Sequence, residues 1–366
     1  MTPSGPEAAG IAFMLMRGGT SRGVFVLADD LPADPAERDD LLCRVIGVPH
    51  PLQVDGVGGA HQLTSKVAVI NRSAHPDADV DYLFLQVAVD RSAVSAGQPC
   101  GNILAGVAPF ALERGLVPPR GERTDVRIRM VNSDGLVTAV VQTPDGRPTY
   151  AGTTTLSGVD APAAPITLRF HDLTGSIASA LLPTGNRTDE ICDVPVTCID
   201  NGMPVVLLPA VELGVTGHEA VEDLEADRAL AERVERIRLT AGPMMGLGDV
   251  RTSTMPKMTI VAPPRDGGTI ATRSFIPHRV HRSIGVFAAT SVAAGVALSG
   301  TVVPHGDLPD AGLVRVEHPS GHVDVRIDAD DARTQVHSSE MLRTARKIVD
   351  GTVWPAPAEP STGGPR

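Results

Sequence analysis

A cysteine set in Gly97-Gln98-Pro99-Cys100-Gly101-Asn102 stands directly before the apolar run Asn102 to Arg114, NILAGVAPFALER, which reads as a helix buried on all sides. A thiol at such a place faces unpaired backbone N–H groups and the positive end of the helix dipole. That setting favours the thiolate, which can act as a base on carbon. Gly101 lets a ligand approach the backbone, and Asn102 can donate to a carboxylate. The plain alternative is a buried structural cysteine. A second group is Asp55-Gly56-Val57-Gly58-Gly59-Ala60-His61-Gln62-Leu63-Thr64-Ser65-Lys66, a glycine-rich loop that ends in two hydroxyls and a lysine before a strand. Burial can make such a lysine a proton donor and acceptor; left exposed, it is only a surface residue after a flexible hairpin. The loop matches neither GxxxxGK[ST] nor GxGxxG followed by a helix, which argues against a nucleotide site.

Other residues suit the anchoring of anions. Arg17 and Ser21 lie in Met16-Arg17-Gly18-Gly19-Thr20-Ser21-Arg22-Gly23, where a guanidinium and hydroxyls among glycines fit a carboxylate. The segment Pro277 to Gly285 carries His278, Arg279, His281, Arg282 and Ser283 ahead of a second apolar run. Cations at a helix N-terminus oppose the dipole, so their placement asks for an anion between them. His278 and His281 lack a third ligand at a recognisable spacing, and no metal site is expected. Thr184 and Asn186, in Leu182 to Asn186, and Met203, in Asp200 to Pro204, sit in Gly/Asn turns that either present N–H groups or merely reverse the chain. Cys192 and Cys198 flank apolar residues and read as core positions.

The elements that must hold these residues are short. With 37 Gly and 31 Pro, most segments between breakers are Val/Ile/Leu/Thr runs such as Lys66 to Ile70, Tyr82 to Val89 and Val126 to Met130, which read as largely antiparallel strands. Against them stand the apolar runs at Asn102 to Arg114 and Gly285 to Leu298, about half a chain apart, which suggests a repeated architecture. Pro109 predicts a kink or break in the first. Glu219 to Thr240 alternates charges at i, i+4 spacing and predicts one solvated surface helix. A length of 366 residues with 42% hydrophobic content suits two domains. An aromatic content of 3% and a net charge of -11 argue against nucleic acid as a partner. The N-terminal MTPSGPEAAGIAFML lacks the features of a leader and no long apolar run follows, so a cytoplasmic protein without a membrane partner is expected.

Taken together, MRGGTSRG, VDGVGGAHQLTSKVAVI, QPCGNILAGVAPFALERGLV, LLPTGN, CIDNGMPVV, AGPMMGLGDV, FIPHRVHRSIGVFAATSVA and LRTARKIVDG resemble the PrpF family of the diaminopimelate epimerase-like superfamily, in the right order from about Met16 to Trp354. The resemblance implies an α+β protein of two pseudo-symmetric domains, each a curved, mostly antiparallel sheet wrapped around a central helix. These would span 10–178, with Lys66 and Cys100, and 179–354, with the 278–283 loop, followed by a disordered tail at 355–366. It implies proton transfer without cofactor or metal, with Lys66 and Cys100 as the acid/base pair. The remaining named residues, Arg17, Ser21, Thr64, Ser65, Gly101, Asn102, Thr184, Asn186, Met203, His278, Arg279 and Ser283, would hold the substrate. That substrate would be a small unsaturated di- or tricarboxylic acid. Several stretches are similar to members that tautomerise 4-oxalomesaconate in gallate breakdown; isomerisation of 2-methylaconitate or an aconitate is the alternative, and a non-catalytic carboxylate-binding protein is the alternative of another class. A homodimer is one open assembly. Two positions depart from the family pattern: Arg22, where GGTSKG is more usual, and Val280, where HRCH is.

Overall fold

The computed structural model describes residues 9–171, 173–304 and 312–358. Cα packing divides the described chain into two compact units, one within Met1–Asn132, Val141–Gly152 and Thr344–Arg366, the other within Ser133–Val140 and Thr153–Arg343. A single division near residue 178 is not what the packing gives. The last strand leaves the second unit at Arg343, and its remainder pairs with the first strand of the chain. Of the expected disordered tail, 359–366 lies outside the described residues; before it, the Ala356 carbonyl accepts from Arg44 Nη1 at 2.8 Å.

The first unit opens with a hairpin of β1 (Ile11–Gly18) and β2 (Ser21–Leu27), closed by Gly19 and Thr20. Helix α1 (Pro35–Ile46) starts where the Asp34 side chain accepts from the N–H groups of Ala36 and Glu37, and ends at Gly47 in the left-handed region (φ 90°). It carries the chain over to β3 (Lys66–Arg72), parallel to β2, and β3 turns back into β4 (Val80–Val87). The short β5 (Val94–Ser95) pairs with β4. Two helices, α2 (Gly101–Leu104) and α3 (Val107–Glu113), then lead to β6 (Arg123–Met130), parallel to β4, and β7 (Gly135–Gln142) follows.

Side chains alternate across these strands with period two. Val24, Val26, Val67, Val69, Leu85 and Val87 pack on Leu42, Val45 and Ile46 of α1. The register puts Phe25, Ala68 and Phe84 on the other face, where Phe25 meets Phe110 of α3 at 5.9 Å between ring centroids. The helical run breaks between Leu104 and Val107. Pro109 has no N–H to offer the Ala105 carbonyl, so the break falls one turn before the proline, which becomes the third residue of α3.

In the second unit the pair β8 (Thr154–Leu156) and β9 (Val159–Ala163) precedes β10 (Pro165–His171) and β11 (Asp189–Glu190). Then β12 (Pro195–Asp200) and β13 (Pro204–Pro209) form a hairpin. Helices α4 (Ala210–Leu213), α5 (Val221–Ala226) and α6 (Arg228–Met244) cross to β14 (Lys257–Ala262), parallel to β13. After β15 (Ile270–Phe275), helix α7 (Val286–Ala297) crosses to β16 (Leu313–His318), parallel to β15. The sheet continues through β17 (Gly321–Ala329) into the long β18 (Val336–Val353). Val206, Leu208, Met258 and Ile260 pack on Leu230, Val234 and Ile237 of α6, while Leu207, on the opposite face of β13, abuts Gly295 of α7.

Each unit therefore contains a hairpin, a crossover over an outer helix, a second hairpin and a crossover through a buried helix into a further strand. The parallel pairings β2–β3, β4–β6, β13–β14 and β15–β16 are the ones those crossovers create, and the hairpins pair antiparallel. Every residue of α7 is buried.

Two expectations need correction. The charged stretch 219–240 is not one solvated helix. Asp227 leaves the helical region (φ -78°, ψ 92°) and caps α6 by accepting from the Leu230 N–H, which separates α5 from α6. Within α6, Arg238 is wholly buried, held by Glu235 and by the carbonyls of Val250, Ser253 and Met255. Cys198 is buried as read, but Cys192 is exposed, because it turns the chain between β11 and β12 with φ 54°. Among the described residues no helix is long and apolar enough to cross a membrane.

Candidate active site

Lys66 is the first residue of β3, level with Gly23 on β2 and Gln86 on β4. It is 7% exposed, not a surface lysine. Its Nζ donates to Gln86 Oε1 at 2.7 Å and stands 5.0 Å from the centre of the Phe84 ring. Among the described residues no carboxylate pairs with it. The Gln86 amide is itself fixed, donating to the carbonyls of Ser65 and Val87.

The loop before Lys66 is organised from within. The N–H groups of Val57 and Gly58 bond to the Val45 and Ile46 carbonyls at the C-terminus of α1. Gly56 packs so tightly on Ile46 and Gly47 that a Cβ would lie 2.4 Å from backbone atoms. Those N–H groups are spent on a helix end, which gives a structural reason against a phosphate cradle. Buried Gln53 accepts from the Ala60 N–H at 2.8 Å and from Ser65 Oγ at 3.0 Å. Thr64 Oγ1 donates to the His61 carbonyl at 3.1 Å. Thr64 and Ser65 thus use their donors to shape the loop.

Cys100 is half-buried and occupies the N-cap position of α2 in extended conformation, with no capping bond from its side chain. Its carbonyl accepts from the hydroxyl of wholly buried Tyr82 at 3.1 Å. Tyr82, Phe84, Gln86, Lys66 and Ala68 occupy one face of β3 and β4 by register, the face that also presents Phe25 to α3. Lys66 and the backbone of Cys100 are therefore tied to the same side of the first unit's sheet.

Glycines bring the β1–β2 turn onto that side. A Cβ on Gly18 would lie 2.5 Å from the Asn102 carbonyl oxygen, one on Gly19 2.3 Å from Asn102 Oδ1, and one on Gly23 2.7 Å from the Lys66 carbonyl oxygen. Only glycine permits these approaches. Gly101 and Asn102 are buried in α2, and Asn102 Oδ1 accepts from the Thr20 N–H at 3.5 Å. Ser21 is buried, and among the described residues neither its Oγ nor the buried Nε of Arg22 has a partner. Arg17 donates through Nη1 to the carbonyls of Gly19, at 2.8 Å, and Thr344, at 3.1 Å. Burial, then the neighbouring Arg346, push its guanidinium pKa down.

In the second unit the named residues have different surroundings. Thr184 Oγ1 and Asn186 Nδ2 both donate to Asp189, at 2.6 and 2.8 Å, which ties the turn to β11. Met203 is buried and its carbonyl accepts from Ser291 of α7 at 2.7 Å. The cations before α7 meet the protein's own carboxylates. His278 stands 4.0 Å from Glu235, Arg279 3.5 Å from Glu225 and Arg282 2.9 Å from Glu222. His278 and Arg279 are exposed. Ser283 turns inward, with its Oγ 3.3 Å from Nε2 of buried His318.

Capping separates the helices by role. Surface helices α1 and α6 have Asp caps, whereas α2 and α7 have none from a side chain. Their first N–H groups remain for another acceptor. Sequence reasoning did not find Gln53, Gln86, Tyr82, Phe84 or His318; the alternation of polar Gln86 with Leu85 and Val87 was the one available signal for any of them.

A family model described as PrpF protein matches residues 9–355. The chain belongs to the PrpF family. This PrpF protein is 53% identical over 346 residues to the 4-oxalomesaconate tautomerase of Pseudomonas putida, covering 94% of this chain and 95% of that protein. It is 50% identical over 347 residues to the (4E)-oxalomesaconate Delta-isomerase of a Novosphingobium species, covering 93% and 96%. The crystal structure of methylitaconate-delta-isomerase superposes on the PrpF protein with a TM-score of 0.81 at 31% identity, covering 95% and 96% of the two chains. A hydroxyproline epimerase from Agrobacterium vitis shares the fold alone, with a TM-score of 0.55 at 17% identity.

Proposed function

We propose that this PrpF protein is a cofactor-independent isomerase that shifts a proton on a small unsaturated polycarboxylate, with 4-oxalomesaconate as substrate and Lys66 and Cys100 as the acid/base pair. The observation that carries the reading is a buried lysine whose partner among the described residues is a neutral amide and not a carboxylate, on the side of the sheet to which the Cys100 backbone is tied. A substrate carboxylate or enolate would supply the charge that the protein withholds.

In this scheme one member of the pair breaks a C–H bond flanked by keto and alkene groups. The electron pair spreads into an extended enolate, and the other member delivers a proton elsewhere on the conjugated system. Stabilising the enolate more than the ground state supplies the rate, and each proton transfer contributes about 10² to 10⁴-fold. The ammonium of Lys66, the N–H groups after Cys100 and the Ser21 hydroxyl are the donors that favour the enolate. Return to oxygen gives a tautomer and return to carbon moves the double bond. The names of the two relatives near 50% identity differ in the same way. We infer also that the two units are pseudo-symmetric repeats of the diaminopimelate epimerase-like kind, a reading supported by their shared order of elements.

With purified protein, kcat/KM for 4-oxalomesaconate is expected to exceed that for 2-methylaconitate and for the aconitates by tenfold or more. A reversed preference would replace the substrate and leave the proton shift in place.

A further inference from the structure

Arg343, on β18, is 7% exposed, and its buried Nε has no partner among the described residues. Its Nη1 donates to the neighbouring Leu342 carbonyl at 3.2 Å. No described carboxylate forms an ion pair with it; Asp324, the nearby acid, is engaged by Arg315 at 2.8 and 2.9 Å. Burial pushes the guanidinium pKa down to about 10, and only Asp324 opposes that shift. A charge buried without a counter-ion costs stability, and a fold keeps one where something else supplies the anion.

The register shows what lies beside it. Val325 opposite Met341 places Arg343 level with Val323, and Val323 pairs with Val316 of β16. Both valines are buried, on the face that carries Arg343. Two residues beyond Val316 on that same face is His318, 6% exposed. Its Nδ1 accepts from the Ser320 N–H at 3.2 Å, so Nε2 is the nitrogen against Ser283 Oγ. Ser283 stands two residues before Gly285, the N-cap of α7, and α7 packs on β16 and β17. No side chain caps α7.

We propose that Arg343, His318 and Ser283, together with the open N-terminus of α7, form a carboxylate pocket within the second unit. The inference rests on the reading of the protein as a polycarboxylate isomerase and assigns one substrate carboxylate to this place. The guanidinium fork matches a carboxylate in two hydrogen bonds, the serine hydroxyl adds a third donor, and the helix N–H groups complete the set. The exposed cations His278, Arg279 and Arg282 are poorer candidates, because Glu235, Glu225 and Glu222 already face them.

The test is calorimetric titration of the full-length protein with propane-1,2,3-tricarboxylate, with thermal unfolding followed with and without it. Arg343→Met is expected to unfold at or above the wild-type temperature without ligand, since it removes a buried unpaired charge, and to bind the tricarboxylate at least tenfold more weakly. Ser283→Ala should bind severalfold more weakly and unfold as the wild type does; it decides the matter if Arg343→Met does not fold. Unchanged affinity in the variants, or a wild type that binds no tricarboxylate at 10-millimolar order, would overturn the pocket. Arg343-dependent binding by a protein that isomerises none of the acids would overturn the reaction and keep the pocket.

Discussion

Lys66→Met and Lys66→Ala are expected to lower kcat by about 10² or more with little change in KM, as befits a group whose main work is in the proton-transfer transition state. Lys66 is buried against Phe84, so methionine, which keeps most of the stem, is the better probe of chemistry and alanine the better probe of packing. Lys66→Arg should not rescue turnover. A guanidinium keeps its proton at neutral pH, with a pKa above about 12, and it would crowd the amide of Gln86. Steady-state kinetics with far-UV circular dichroism on each variant checks this. A variant that kept kcat and lost only KM would make Lys66 a carboxylate anchor and leave Cys100 with another partner.

Cys100→Ser is expected to cost about 10² to 10⁴ in kcat, because a serine hydroxyl takes or gives a proton far less readily than a thiol in the same place. Alkylation offers a second view. Cys43 and Cys198 are buried, and burial pushes their thiols up to about 11 and about 12, so neither should react quickly. Cys192 is exposed and would react alongside Cys100, so the experiment belongs in a Cys192→Ser background. There, brief iodoacetamide treatment should modify Cys100 first, and propane-1,2,3-tricarboxylate should protect it. Modification of Cys43 or Cys198 ahead of Cys100, read by mass spectrometry, would contradict the assignment.

The parts of this protein that were legible in its sequence are those governed by local rules. Twelve uncharged residues, all apolar but Thr290 and Ser291, predict a buried helix, and α7 is one. Pro109 announced a break, and the strand from Lys66 began where the glycine loop ended. What stayed hidden depends on register and on distant partners. Asp227 looks like one more charge on a helix face until its side chain is seen to cap α6. Arg238 looks solvated until the carbonyls of 250–255 close over it. Gln53 and Gln86 hold the loop and the lysine of the candidate site. Gln86 is hinted at only by its alternation with Leu85 and Val87, since its role arises from the pairing of β3 with β4, and Gln53 is marked by nothing, since its role arises from a loop that folds back on it. The cations at 278–282 seemed to call for a ligand; their carboxylates lie some 40 to 60 positions away in sequence, on α5 and α6.

The most direct test of the account is the fate of carbon-bound hydrogen when 4-oxalomesaconate is incubated with the protein in deuterated water and followed by proton NMR. Wild-type protein should exchange hydrogen at the carbon between the keto and alkene groups faster than buffer alone, and the Lys66→Met and Cys100→Ser variants should lose most of that acceleration. Binding of the acid without accelerated exchange at any carbon would contradict the central claim and leave a carboxylate-binding protein in its place.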